Sequence, residues 1–106
     1  MSEYNNTELA ILDAAEEVFL FNTSLEAVRE ESEVDKARDL LAKDDEIIEL
    51  RVSIREAGEK QYRNGVIKMN DLMDMIDDEH DSRLTRSVHH IQLLMAIYEM
   101  KDTLGQ

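Results

Sequence analysis

With 106 residues, a formal charge of −13 and no cysteine, the chain has room for one domain with little buried core of its own. It carries no disulfide or thiol chemistry, and it repels nucleic-acid phosphates and anionic lipid. Proline is absent and glycine occurs only at Gly58, Gly65 and Gly105, so the breakers and turns that strands require are missing.

The expected fold is therefore all-α, a single helical domain over 1–106. From Thr7 to Tyr62 strong helix formers dominate, with Leu9, Leu12, Phe19, Leu25, Val28, Leu41, Ile48 and Ile54 set among polar residues. Two places could interrupt this stretch: Asn22-Thr23-Ser24, where Thr23 can cap a new helix with Glu26 as its reciprocal partner, and the charge-rich stretch Glu30 to Glu33. The reading is one long helix over about 7–62, or three helices in all if it breaks near residue 23.

Gly65 suits the left-handed position that ends a helix, and Asn70 can cap the next, with Asp71 and Asp74 facing the positive end of its dipole. A turn over about 64–70 then leads into a helix over about 71–104. In that helix Met69, Leu72, Met73, Ile76, His80, Leu84, Val88, Ile91, Leu94, Met95 and Tyr98 follow three-four spacing, which predicts its buried face. Met75 and Met100 fall off this stripe and read as candidates for a partner surface. Gly105 ends the helix. A short turn between two amphipathic helices implies a long antiparallel hairpin or coiled coil, a rod of roughly 50 Å. The first helix should exceed the second by about 15–20 residues, and the overhang bearing Phe19 and Phe21 calls for self-association.

Chemistry-bearing constellations are sparse. His80 with Asp77, Asp78 and Asp81, or the pair His89 and His90, offers metal-ligand residue types without ligand geometry, because adjacent histidines on a helix diverge by about 100°. No metal, no cofactor and no enzymatic activity are expected, since a hairpin lacks concavity and no hydroxyl stands in a nucleophile-base context. Asp71 and Asp74 share one face at a helix start, which by itself reads as dipole compensation on a solvated surface. Residue chemistry alone leads to a helical interaction module.

One stretch resembles a known family. Tyr62-Arg63-Asn64-Gly65-Val66-Ile67-Lys68-Met69-Asn70-Asp71-Leu72-Met73-Asp74, followed by His89 to Tyr98 and then Met100-Lys101-Asp102-Thr103-Leu104-Gly105, is similar in order to the tail of the TolC-like outer membrane efflux proteins. The resemblance runs from about Ser53 to Gly105 without a gap. It implies one periplasmic helical hairpin from the α-barrel of a trimeric efflux or secretion duct, acting by assembly, adaptor docking and entrance gating.

On that resemblance Gly65, Val66, Ile67, Lys68, Met69 and Asn70 form the tip that meets the periplasmic adaptor of a tripartite pump. Tyr62 falls where the family has a tyrosine that helps hold the entrance closed, and Asp71 and Asp74 where some members place lumen-lining aspartates. Three copies of such a carboxylate pair around a narrow lumen would favour cations. The implied partners are further copies of the duct protein and the adaptor, with neither nucleic acid nor direct membrane insertion by this segment. The implied location is the periplasmic part of an outer-membrane protein.

Two features depart from the family. Ile67 stands where one member has a gating arginine, which argues against a charge-locked gate of that type. The strands of a membrane β-barrel and the second repeat are missing, so the resemblance implies a piece of a longer protein. The alternative is a free-standing acidic helical adaptor that binds a basic protein partner.

Overall fold

The computed structural model describes residues 2–105, with side chains from Asn5 onward. Two helices account for almost all of it: α1, Ser2–Arg63, and α2, Met69–Leu104. They form an antiparallel hairpin 95 Å long and under 20 Å in its other dimensions (18 and 14 Å). The all-α hairpin expected from composition is the fold observed.

α1 runs unbroken through Asn22-Thr23-Ser24, so the three-helix alternative does not arise. A capping pattern is only a competitor to the helix, and here the surrounding Leu, Ala, Glu and Phe residues carry the helix through it. At the other end Gly65 adopts φ +72°, its N–H donates to the Tyr62 carbonyl at 3.0 Å, and the Val66 N–H donates to the Gln61 carbonyl at 2.8 Å. These two bonds satisfy carbonyls the helix would otherwise leave open, in the manner of a left-handed glycine cap. Lys60 and Arg63 lie in the last turn, against the negative end of the dipole.

α2 begins two residues earlier than expected, and its cap is Lys68 rather than Asn70. Lys68 holds an extended backbone (φ −88°, ψ 163°), and its N–H donates to Asp71 Oδ2 at 3.1 Å. Lysine offers no side-chain acceptor, so the junction is held from the far side by the third-position carboxylate. Asn70 lies inside the first turn. Gly105 closes α2 with φ +74°, its N–H donating to the Asp102 carbonyl at 3.1 Å.

The seam between the helices is not the apolar stripe. Along α1 the sheltered residues Thr23, Ala27, Glu30, Val34, Ala37, Leu41, Asp44, Ile48, Arg51, Arg55 and Gly58 recur in alternating steps of four and three, with Val52, Ile54 and Glu59 half-buried beside them near the tip. Along α2 Leu72, Met75, Glu79, Ser82, Arg86, His89, Leu93, Ala96, Met100 and Thr103 recur in steps of three and four, with Ile97 half-buried beside them. Both are seven-residue repeats, the pattern that keeps a narrow seam facing its partner in a coiled coil. Only Val34, Ile48 and Leu72 are buried apolar side chains.

Most of the expected buried face of α2 therefore lies outside. Met69, Met73, Ile76, Leu84, Val88, Ile91, Leu94, Met95 and Tyr98 are all exposed, Tyr98 at 73%, and His80 is exposed with them. Met75 and Met100, expected on a partner surface, pack instead toward α1. The physical reason is that stripe and seam have different periods. Four-residue steps from Ile76 through His80, Leu84 and Val88 carry the stripe around the helix, whereas the seam keeps strict sevens.

Gly58 is buried where the side chains of Met75 and Leu72 pack against α1. A Cβ placed there would collide with the Met75 sulfur and touch Leu72. Gly58→Val should therefore cost about 1–3 kcal/mol by overpacking, seen as a lowered urea midpoint; an unchanged midpoint would mean that the Met75 side chain swings aside to admit the added atoms.

α1 is 62 residues long and α2 is 36, so the overhang is longer than expected. The hydrogen bond from Thr103 Oγ1 to Glu30 Oε1, at 2.8 Å, marks the end of the paired region. Beyond it α1 continues alone, and over residues 5–26 every residue except Thr23 is exposed.

Candidate functional site

The tip gathers the residues that the sequence reading singled out. Tyr62 sits in the last turn of α1, 38% exposed, and its carbonyl receives the Gly65 N–H. Val66 projects at 69% exposure, Ile67 is half-buried, and Met69 is 47% exposed at the start of α2. Asp71 and Asp74 are both exposed. Asp71 has a local task, accepting the Lys68 N–H, which leaves its other carboxylate oxygen to face outward. The nine residues thus lie together at one end of the rod, with the two carboxylates on the α2 side of the turn.

Behind the tip, charge takes over the seam. Arg55 Nε meets Glu79 Oε1 at 2.6 Å across the helices and its Nη1 meets Glu59 Oε1 at 2.7 Å, while Arg83 Nε approaches Glu79 Oε2 at 3.3 Å. Arg51 Nη1 faces Asp78 at 3.8 Å. Farther along, His89 Nδ1 contacts Asp44 Oδ2 at 2.5 Å and Arg86 Nε contacts Asp45 Oδ1 at 2.5 Å. Asp44 is itself buried, 7% exposed, so the His89 ring supplies the partner its carboxylate needs in place of water.

Hydrogen bonding from Arg55 holds the Glu79 carboxyl below its ordinary value of 4.5, helped by Arg83 and opposed by burial. The same contact, with Glu59, holds the Arg55 guanidinium above its usual range. A depressed carboxyl contributes stability above its unfolded value and loses it as pH falls through the folded one. Acid titration of the urea midpoint from neutrality downward should thus show a loss setting in below 4.5 that Glu79→Gln removes. Identical acid profiles for the two proteins would refute the assignment.

Arg55–Glu59 and Glu79–Arg83 are four-residue pairs within one helix, but nothing in the local sequence announced the pairs that cross between helices. Their partners lie 24, 41 and 45 residues apart, and the only available signal was the seven-residue recurrence of Asp44, Arg51 and Gly58 alongside Ile48 and Arg55. Of the histidines, His89 is absorbed by Asp44 while His80 and His90 are exposed, and among the described residues no three His, Cys, Asp or Glu side chains converge as a metal-holding group.

The seam also leaves a groove along one flank. A space of ≈ 370 Å³ opens where the small residues Ala37 and Ala96 face each other, rimmed by Leu40 and Met95. A second space lies nearer the tip between Ile47, Arg51, Asp78 and Ser82. Leu40, Ile47 and Leu50 are all exposed along this flank of α1. In comparisons with known proteins, no family model, no curated protein and no solved structure matches the chain. Among the described residues no helix is long and apolar enough to cross a membrane.

Proposed function

We propose that the chain is the tip-bearing helical hairpin of a trimeric outer-membrane efflux or secretion duct, working by assembly, adaptor docking at the turn and gating at the entrance. The observation that carries this reading is the inversion of the hairpin's surfaces. Its own seam is narrow and mixes small and apolar residues with charged pairs such as Arg55–Glu79 and Asp44–His89, whereas large apolar side chains run along its outside, on α1 at Leu40, Ile47 and Leu50 and on α2 from Met69 to Tyr98. A hairpin built to stand alone buries such residues. A stave in a wall of helices needs them outside, because each flank meets a neighbour. The grooved flank at Ala37 and Ala96 is shaped to receive side chains from such a neighbour.

In this reading residues 65–70 meet the periplasmic adaptor, Tyr62 helps close the entrance, and the outward carboxylates of Asp71 and Asp74 face the lumen. Placed in a full-length duct, Asp71→Asn together with Asp74→Asn should weaken cation block of conductance by roughly tenfold, the effect of losing about 1.4 kcal/mol of attraction. Unaltered block would remove the lumen assignment.

The charge of −13 favours a second reading, an acidic helical adaptor that clasps a basic protein. The source gene separates the two. Coding sequence for membrane strands and a second helical repeat upstream supports the duct, and a natural start at Met1 supports the adaptor.

A further inference from the structure

The overhang of α1 differs chemically from the rest of the rod. All twelve Lys and Arg residues lie at Arg29 or later, and so do the three histidines. Residues 5–28 carry Glu8, Asp13, Glu16, Glu17 and Glu26 and no basic side chain. Within the same stretch Ile11, Ala14, Val18, Phe21, Leu25 and Val28 recur in alternating steps of three and four, and all six are exposed. This stripe is not an extension of the α1–α2 seam. The seam ends at Thr23 and Ala27, on the opposite side of the helix from Phe21, Leu25 and Val28 by the 100° step of an α-helix.

We infer that residues 11–28 form a docking surface for a basic amphipathic helix of a partner protein. A seven-residue apolar stripe is complementary to another helix bearing the same repeat, since only a helix presents side chains at that spacing along about 26 Å. Charge then decides between a second copy and a different chain. Two overhangs of this sequence would bring together segments that each carry five acids and no cation before Arg29, whereas lysines or arginines flanking the partner's stripe meet Glu17 at its edge and the net negative charge of the segment with opposite sign. An anionic membrane is repelled for the same reason. The surface is separate from the flanks that the stave reading uses, and it stands or falls independently of that reading.

The test uses the whole chain and two labelled synthetic helices of about three heptads, one with leucines in the stripe and lysines around it, the other with glutamates in place of the lysines. Fluorescence anisotropy should show the leucine–lysine helix binding and the leucine–glutamate helix not binding, with affinity falling as salt is raised. Phe21→Ser with Leu25→Ser should weaken binding at least about tenfold, because central apolar anchors carry most of such an interface. Ile91→Ser, on the outer face of α2, should leave it unchanged. Phe21 and Leu25 are both exposed and point away from the seam, so the double variant should keep the parent urea transition, which separates a lost surface from a lost fold. Equal binding of the two helices, equal loss in Ile91→Ser, or no binding at all would overturn the inference. So would sedimentation showing that the parent chain dimerises and that the double variant alone is monomeric, since a second copy would then be what covers the stripe.

Discussion

Replacing Leu84 with proline is expected to abolish cooperative unfolding of the hairpin. Leu84 lies near the middle of α2, and its side chain is 53% exposed, so almost nothing is lost by removing the leucine itself. The damage is to the backbone. Proline removes an N–H and drives its ring against the carbonyl of His80, at a cost of about 3 kcal/mol or more. The kink also takes Glu79, Arg86 and His89 out of alignment with Arg55, Asp45 and Asp44, and these contacts exist only while both helices keep their seven-residue register. A small domain with three buried apolar side chains has little margin to absorb that. Circular dichroism during thermal denaturation should show a broad, non-cooperative loss of helix; a sharp transition near that of the parent would remove the hairpin architecture.

The second large effect separates two adjacent residues. Leu72 is 8% exposed and packs where Gly58 lets the helices close, whereas Met73 is 52% exposed. Leu72→Ala should destabilise by about 2–5 kcal/mol, through lost burial and the cavity left behind. Met73→Ala should stay within about 0.5 kcal/mol when measured at low protein concentration, where no neighbour covers it. At about 4–8 °C of melting temperature per kcal/mol the contrast is easily read. If Met73→Ala were the costly change and Leu72→Ala the mild one, the seam would run along the apolar stripe after all.

That contrast also marks how far the sequence could be read. Helix content, antiparallel pairing and the glycine turn were legible, because the absence of proline, the left-handed preference of Gly65 and the short linker act locally. The choice of face was legible only in part: Leu41, Ile48 and Ile54 in α1 and Leu72 in α2 are sheltered as expected, whereas most of the α2 stripe is exposed. Hydrophobic periodicity finds the residues that some surface must cover, and in a lone domain that surface is its own core. Here the seam does not follow the stripe, so periodicity pointed to Met73, Ile76, Leu84 and Ile91 while Glu79 with Arg55 and His89 with Asp44 meet across the intrachain seam. Such pairs depend on matching across tens of residues and leave no mark in any window of one helix. The cap of α2 was missed for a smaller reason. Asn70 has the better side chain for capping, but the carboxylate of Asp71 reaches back to Lys68 and fixes the start two residues sooner.

The unbroken course of α1 has a mechanical consequence. Between Asn5 and Ala57 there is neither glycine nor proline, and the helix carries through without a kink-forming residue. It is therefore a strut, stiff in bending and torsion over most of its 62 residues. A partner gripping Phe21 and another pressing on Val66 would hold opposite ends of the same rod. Rotation imposed at one end is delivered at the other as rotation, with no joint between them to absorb it.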